Sequence, residues 1–499
     1  MRRLFQTPEL VSMICADLPS RTALVSSQFF QGMLPYMWKS ASLYQIIQRS
    51  LIPTTIISDD DRTQVHFSEN ITKENMLRFH VYAPFVRSFA LDVIPRWQFF
   101  SWGALFSYSQ TRVLFPNLES IHCEFFDADA LHTFLTCSTR KFSIRQLQDH
   151  PFVSRLILKT LVHTCPNIEH IEFYPDISGL DTSYFDDLVK LRCVRRLKTK
   201  DSALWLLAPL IGALPNLGAL AVETSQYKDF NSVWDEPLLQ PLGVGAFPVL
   251  KSLSLEFDNH DEASLFWDHL SFRCLAELSL FIKSGSLTSD GDLDFIIKLC
   301  QVNPHLETLG LYLPGYDYKG PINRYIPIPS EIIKELFCLS LSHTFALIGA
   351  QLSLSGAWSG LASTWPRLKR IICPNQLSTL DDLILLTSSL TNLEHLECDL
   401  SCKDEVSKLQ HRWQPIGRPA FYPTLRMLVC RRLDLRECVL HDEHGLNSLA
   451  RYFGYHWPRM RITSTNSAYH DVEHDTGYAI MFQKLIEAHV WIFHGRFPY

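Results

Sequence analysis

"NPHLETLGLYL", residues 303–313, joins a turn-forming Asn-Pro pair to an alternating apolar pattern. Its apolar residues are Leu306, Leu309, Leu311 and Leu313. Their spacing is too irregular for an amphipathic helix, but the last three alternate as in a β-strand. Since alternate strand residues face opposite sides, we expect Leu309 and Leu311 to point into a core and Tyr312 to face away from it.

The same pattern recurs along the chain, as an apolar or small residue, Pro, any residue, Leu or Ile, two variable residues, an apolar residue, a variable residue and an apolar residue. Copies with proline begin at Phe115, Cys165, Leu214, Phe247, Trp365 and Tyr422, copies without it at Cys274 and Thr391, and a shorter copy at Trp457. Helical periodicity precedes several copies, as in RLILKTLVHT at 155–164. Proline disfavours helical geometry in the residue before it, so each unit is predicted to be a helix, a turn and a strand.

A strand and a helix that recur every ~25 residues are typical of leucine-rich repeats. We therefore predict an α/β fold, a leucine-rich-repeat solenoid with a curved parallel sheet and outer helices. The segments FVRSFALD at 85–92 and VRRLKT at 194–199 are candidate degenerate copies. The predicted organisation is a helical segment at 4–45, a linker at 46–80, and a solenoid with a C-terminal cap at 81–499.

Composition limits the possible partners. A net charge of −6 and a pI near 6.4 argue against nucleic acid or an anionic membrane as a partner. The basic stretch LRCVRRLKTK at 191–200 is interpreted as a solvated face rather than a phosphate site. Cysteines at inward strand positions suit a reducing compartment, so we expect the cytoplasm or nucleus; they are Cys123, Cys373, Cys398 and Cys430.

Signatures of chemistry are weak. The cluster Cys438, His441 and His444, with Cys430 upstream, matches no familiar zinc spacing and is interpreted as a polar loop. HDVEH at 470–474 lacks the glutamate position of a zinc protease. Phosphate-binding and serine-hydrolase signatures are absent from the sequence. We expect no enzyme activity, no metal and no cofactor.

Residues 5–40 do not fit the repeat and show two short apolar stripes separated by Pro19. This stretch resembles an F-box, in which Leu-Pro-x-Glu-Leu is followed by Ala-Leu-Val-Ser and a late Trp. The matching residues are Thr7, Pro8, Glu9, Leu10, Ile14, Leu18, Ala23, Leu24, Val25, Ser26, Phe29 or Phe30, and Trp38. The downstream segments ASLYQIIQRSLIP at 41–53 and RFHVYAPFVRSFALD at 78–92 also resemble the linkers of large fungal F-box proteins with degenerate leucine-rich repeats. The connection between Leu18 and Ala23 is shorter than in that family.

The resemblance implies a non-catalytic substrate-recognition subunit that binds a Skp-type adaptor and, through it, a cullin ubiquitin ligase. The implied adaptor-binding residues are Pro8, Glu9, Leu10, Ile14, Leu18, Leu24, Val25, Phe29 and Trp38. In the alternative interpretation residues 5–40 form a helical cap over the first repeat, and the chain is an adaptor-independent leucine-rich-repeat scaffold.

A protein target is expected on the concave face of the sheet, where the variable strand residues lie. The predicted target-binding residues are His122, Glu124, Glu172, Tyr174, Glu223, Glu256, Phe281, Tyr312, Glu397, Asp399 and Arg431. Because acids and aromatics dominate this set, a target segment with basic and apolar side chains is one interpretation. An ordinary solvated sheet is the other.

Overall fold

The computed structural model divides into two compact units, Met1–Val249 (unit 1) and Leu250–Tyr499 (unit 2). The residues that the structure describes are 27–49, 51–59, 62–91, 97–111, 113–123, 131, 133–144, 151–174, 182–224, 246–269, 272–283, 293–314, 326–353, 356–401, 425–430, 433–434, 450, 453, 457 and 461–464. No helix in this part of the chain is both long and apolar enough to cross a bilayer.

Unit 1 alternates short strands with helices. Its strands are β1 (Ser40–Ser42), β2 (Thr54–Asp59), β3 (Arg62–Phe67), β4 (Ser88–Leu91), β5 (Trp97–Phe100), β6 (Ser120–Cys123), β7 (Lys141–Ile144), β8 (His170–Phe173), β9 (Arg196–Lys200) and β10 (Ala219–Glu223). Its α-helices are α1 (Ser27–Met37), α2 (Leu43–Gln48), α3 (Leu77–Tyr82), α4 (Trp102–Thr111), α5 (Pro151–Thr164) and α6 (Asp201–Gly212). Two 3-10 helices cover Ala83–Phe85 and Thr182–Lys190.

The main sheet of unit 1 is parallel and has the order β1-β4-β6-β7-β8-β9-β10. A separate sheet consists of the antiparallel pair β2-β3 with β5 added parallel to β3. Residues 46–80, assigned to a linker from the sequence, thus contain the second half of α2, the β2-β3 hairpin and part of α3. Phe67 on β3 is buried, and its ring lies 4.6 Å from that of Trp102, the first residue of α4.

Unit 2 has the same alternation. Its strands are β11 (Ser252–Phe257), β12 (Glu277–Ile282), β13 (Thr308–Tyr312), β14 (Ile326–Ile328), β15 (Thr344–Ile348), β16 (Ala350–Leu352), β17 (Arg370–Ser378), β18 (His395–Ser401), β19 (Met427–Cys430), β20 (Leu433–Asp434) and β21 (Arg461–Ser464). Its helices are α7 (His260–His269), α8 (Asp294–Val302), α9 (Ser330–Leu336), α10 (Ala357–Thr364) and α11 (Leu380–Ser389).

The main sheet of unit 2 is also parallel, in the order β11-β12-β13-β15-β17-β18-β19-β21. The strand β20 pairs with β18, and β14 pairs with β16 in a separate small sheet. An irregularity in β17 between Cys373 and Leu377 supports this small sheet. Within this irregular part of β17, the Asn375 side chain accepts a hydrogen bond from the backbone N–H of Gly349, and the Gln376 side chain accepts one from the backbone N–H of Leu352.

The strand register aligns the buried positions of successive repeats. In unit 2, Leu309 on β13 pairs with Leu278 and Phe345, and Leu311 pairs with Leu280 and Leu347. All six side chains are almost inaccessible to solvent. The expectation for Leu309 and Leu311 is confirmed, and parallel strands with helices between them and a continuous leucine core are the architecture of a leucine-rich-repeat solenoid.

The repeat template identified most strands of the main sheets. The degenerate copy at 85–92 contains β4, and those at 194–199 and 457–463 contain all but the last residue of β9 and β21; all three are main-sheet strands as predicted. The template missed β1, β7 and β15; the turns before β7 and β15, TCST and LSLS, contain no proline, and the second has its leucine one place early. Inward cysteines are buried as expected at Cys123, Cys373 and Cys398.

The template copies that begin at Phe115, Cys165, Leu214 and Trp365 each open with a β-turn. The N–H of the fourth residue donates to the carbonyl of the first, as from Leu118 to Phe115 at 3.2 Å in unit 1 and from Leu368 to Trp365 at 3.1 Å in unit 2. Proline at the second turn position has the required φ already fixed, which explains its recurrence. The first side chain packs inward: Trp365 is buried and its Nε1 donates to the Leu339 carbonyl, 26 residues earlier, at 2.9 Å.

The third turn residue connects neighbouring repeats in unit 1. Asn117 Nδ2 donates to the carbonyl of Pro84 at 2.8 Å, and Asn216 Nδ2 donates to the carbonyl of Arg192 at 2.8 Å. Both acceptors occupy the second position of the preceding turn, a carbonyl that no strand amide reaches. In these two copies the Pro-Asn pair therefore has two separate roles, the proline within its own turn and the asparagine toward the previous one.

We expect Asn117→Ala and Asn216→Ala each to lower the free energy of unfolding by about 0.5–1.5 kcal/mol, because each removes one hydrogen bond between repeats. Asn167 occupies the same template position, is exposed, and has no side-chain partner among the described residues. Asn167→Ala is therefore the matched control and should be nearly neutral. Urea unfolding measures all three, and equal losses at all three sites would contradict the proposed role of the turn contact.

Candidate interaction surface

In both units the strand side chains opposite the buried leucines form the candidate surface. The pattern is clearest on β6 to β10, where buried and partly exposed residues alternate. The partly exposed residues on neighbouring strands are brought side by side by the parallel register.

A polar ladder crosses the face of unit 1, formed by His122, Ser143, Glu172, Tyr174, Lys198 and Glu223. Four of these residues are register partners: His122 pairs with Ser143, Ser143 with Glu172, and Glu172 with Lys198. His122 Nδ1 lies 2.9 Å from Ser143 Oγ, and that hydroxyl donates to Glu172 Oε2 at 2.6 Å. Three repeats are thus joined through their side chains, in addition to the backbone hydrogen bonds of the sheet.

Lys198 and Tyr174 complete the ladder. Lys198 Nζ lies 3.3 Å from Glu172 Oε1 and 2.6 Å from Glu223 Oε1. The Tyr174 hydroxyl lies 2.9 Å from each of the same two glutamates, so its single proton can be donated to either carboxylate. Tyr174 is buried, with 6% of its surface exposed, because its ring extends across β9 to reach Glu223.

The charges of the ladder stabilise one another. Burial alone would raise the pKa of Glu172, but hydrogen bonds from Ser143 and Tyr174 and the charge of Lys198 leave that pKa below its ordinary value. Burial also opposes the charge on Lys198, and its pKa is nevertheless raised by Glu223 and Glu172. Burial and the two carboxylates raise the pKa of Tyr174, so it remains a hydrogen-bond donor. The two predicted acids are therefore occupied within the chain.

Unit 2 presents an aromatic pair, Phe281 and Tyr312, on register-paired positions of β12 and β13. The rings are stacked, with centroids 4.0 Å apart and planes 11° apart, and both residues are partly exposed. Gly310 makes this arrangement possible, since a Cβ there would meet the Tyr312 ring at 3.0 Å. Beside the pair, Glu256 forms an ion pair with Lys283 at 2.6 Å.

Other predicted target-binding residues are distributed unevenly. Glu397 is partly exposed on β18, whereas Asp399, two residues on, is buried with 5% of its surface accessible. Asp399 and Tyr174 were both predicted to be accessible to a target, and both predictions are wrong because the two side chains are buried. Glu124 and Arg431 lie outside the described residues, as do the histidine and cysteine positions 438–444 and 470–474.

Of the predicted adaptor-binding residues, the structure describes the side chain of Trp38 alone. Phe29 lies within α1, and the remaining ones, Pro8, Glu9, Leu10, Ile14, Leu18, Leu24 and Val25, precede the described residues. Trp38 is 4% exposed, stacks on Tyr82 with centroids 4.7 Å apart, and has the Arg49 guanidinium 4.7 Å from its ring centre. It therefore anchors the end of α1 to the beginning of the repeats.

Two ladder residues, Ser143 and Lys198, were not predicted as surface residues. Ser143 lies on β7, which the template missed, and Lys198 lies in the degenerate copy at 194–199. The signal that finds them is positional: both stand between two buried residues at the same strand position as Glu172.

Neither a protein-family model nor a curated relative matches this sequence. Similar solved structures include the leucine-rich repeat-containing protein LegL7 from Legionella pneumophila, with 15% identity and a TM-score of 0.34, over 62% of this chain and 90% of that chain. Another is a chain of the Toll–Spatzle complex from Drosophila, with 13% identity and a TM-score of 0.34, over 82% of this chain and 51% of that chain. The fold assignment depends on the strand register and burial described above.

Glu172→Gln tests the ladder through pH. Because the folded pKa of Glu172 is lowered, its contribution to stability is present above its ordinary pKa near 4.5 and is lost as pH falls through the lowered value. We expect the variant to melt below the wild type at pH 6 and the difference to shrink on acidification. Glu119→Gln, which removes an exposed ion pair with Arg87, should change the melting temperature little. A Glu172→Gln difference that grows as pH falls would contradict the assignment.

Proposed function

We propose that this chain is a non-catalytic substrate-recognition subunit of a Skp–cullin–F-box type ubiquitin ligase. The observation that supports the proposal most is the close junction of two parts. The F-box-like sequence ends at Trp38, and β1, the first strand of the main sheet in unit 1, begins at Ser40. A helical module of this type would bind the adaptor, and the repeats would bind a protein target. The ubiquitin chemistry would be supplied by other chains.

The packing of Trp38 supports a fixed attachment between these two parts. With its ring between Tyr82 and Arg49, Trp38 holds the end of α1 against the first repeats of unit 1. A ligase subunit needs such an attachment because it must present a target at a defined distance from the adaptor. In this proposal Trp38 stabilises the junction, and the adaptor contacts come from the residues before α1 and from its first turns.

The aromatic pair is the proposed anchor for a target in unit 2. Stacked aromatic rings expose a rigid apolar surface that loses little conformational entropy on binding, and such side chains are enriched at binding hot spots. Glu256 and Lys283 form a polar border beside it. We propose that an apolar side chain of the target packs on the exposed faces of Phe281 and Tyr312.

The adaptor proposal is tested with the purified full-length chain and a Skp-type adaptor by size-exclusion chromatography. We expect a stoichiometric complex for the wild type and its loss in the double variant Leu10→Asp/Leu24→Asp, which places charges on the proposed apolar contact. The double variant Phe281→Ala/Tyr312→Ala is the control: it should bind the adaptor normally while capturing less target from cell extract. Failure of the wild-type chain to bind any Skp-type adaptor would refute the ligase role.

A second candidate function is an adaptor-independent scaffold for protein–protein interaction. The burial of Met33, Leu34 and Trp38 favours it, because this end of α1 then serves to cover the apolar residues of the first repeats. Terminal caps of this kind are a general requirement of solenoids. In this case the aromatic pair would still capture a target, but neither the wild type nor any variant would form an adaptor complex.

A further inference from the structure

Three basic residues form a row on the face of unit 1, two residues before the polar ladder along each strand. Lys141 on β7, His170 on β8 and Arg196 on β9 are register partners. Lys141 and Arg196 are exposed, and His170 is partly exposed. Strands in a sheet are roughly 4.8 Å apart, so the row spans about 10 Å across the sheet.

The nearby carboxylates are already engaged with other cations. Glu169, just before His170, is bound to Arg140 at 2.8 Å, and Glu172 is bound within the polar ladder. Lys141 and Arg196 form no ion pair with any residue of the described chain. Like charges on directly opposite strand positions are destabilising. The row therefore has unbalanced positive charge, which an anionic partner would relieve.

The surroundings leave the row accessible. On one side β6 supplies Ser120 at the same register position, and on the other side β10 supplies Ala219. Neither side chain is long enough to cover the row. Arg195, exposed just before Arg196, adds a further cation at the same edge.

We infer that the basic row of Lys141, His170 and Arg196 binds a short acidic segment of a partner protein through its Asp or Glu carboxylates. This inference rests on the proposed target-binding role of the repeats but not on adaptor binding. In an extended peptide, alternate side chains lie roughly 7 Å apart on one face, so two such carboxylates fall within the length of a row of about 10 Å. Guanidinium and ammonium groups are the usual partners of carboxylates.

Charge distribution favours a protein segment over nucleic acid. Glu172 lies two residues beyond His170 on β8, Glu223 lies four register positions beyond the row on β10, and the whole chain has a net charge of −6. A continuous phosphate backbone would be repelled by these charges, whereas an acidic run of a few residues would reach only the row.

His170 makes this binding sensitive to pH. Burial and the positive charges of Arg196, Lys141 and Arg195 lower the pKa of His170, and only Glu169 opposes them. An acidic partner would add negative charge beside the imidazole and favour its protonated form. Binding should then take up a proton, so affinity should increase as pH falls from about 7.5 to about 6.

The test uses the full-length chain and a dye-labelled peptide of alternating glutamate and serine, with fluorescence anisotropy at low salt and no adaptor present. We expect saturable binding that weakens with salt and is absent for the matching glutamine-serine peptide. Lys141→Ala/Arg196→Ala should weaken binding at least about tenfold. Lys251→Ala/Lys369→Ala, which removes the same charge from exposed sites in unit 2, is the control and should bind as the wild type does.

Two further variants complete the test. His170→Gln should bind with an affinity that no longer increases between about pH 7.5 and pH 6. Arg196→Glu should abolish binding while melting at or above the wild-type temperature, because it relieves the repulsion within the row. Equal binding of the glutamine peptide, equal or tighter binding of oligothymidine, or unchanged affinity in the Lys141→Ala/Arg196→Ala variant would overturn the inference. Because no adaptor takes part, each of these results is distinguishable from failure of the ligase proposal.

Discussion

The attachment of each turn to the turn before it is the constraint on which the unit 1 repeats depend. A single strand and helix cannot bury their own apolar side chains, so each repeat requires a neighbouring repeat in a fixed strand register. The Asn117 and Asn216 side chains help to fix this register by donating hydrogen bonds to carbonyls of the preceding turn. The backbone adds to it, since the amides of both Glu119 and Ser120 donate to the carbonyl of Arg87. Register is therefore decided at the turn, before the strand begins.

Fixed register has opposite consequences on the two faces of each sheet. On the inner face it aligns like with like, so that Leu278, Leu309 and Phe345 form one apolar row. On the opposite face, which carries the variable strand residues, it aligns the side chains of neighbouring repeats whatever their chemistry. Where opposite charges are adjacent, as in Glu172 and Lys198, they form an ion pair within the chain. Where like charges or aromatic rings meet, the surface retains binding capacity that we assign to partners.

The sequence predicted the repeat, the buried leucines and the outward position of Tyr312, because these depend on short-range periodicity. It did not predict which outward residues are available to a partner. Glu172 and Glu223 were expected to face a basic target, yet both are bound to Lys198, which follows Glu172 by 26 residues in the chain. Tyr174 and Asp399 were expected to be open and are buried. Such outcomes depend on side chains of neighbouring repeats, which a pattern within one repeat does not contain.

Hydrogen–deuterium exchange of Leu309→Ala tests the dependence of each repeat on its neighbours most directly. Removing a fully buried leucine commonly costs about 2–5 kcal/mol. We predict faster exchange of the backbone amides in β12, β13 and β15, with β18 unchanged and with no effect of Tyr312→Ala on any of them. Faster exchange throughout unit 2, or faster exchange in β13 alone, would contradict a fold in which stability passes from one repeat to the next.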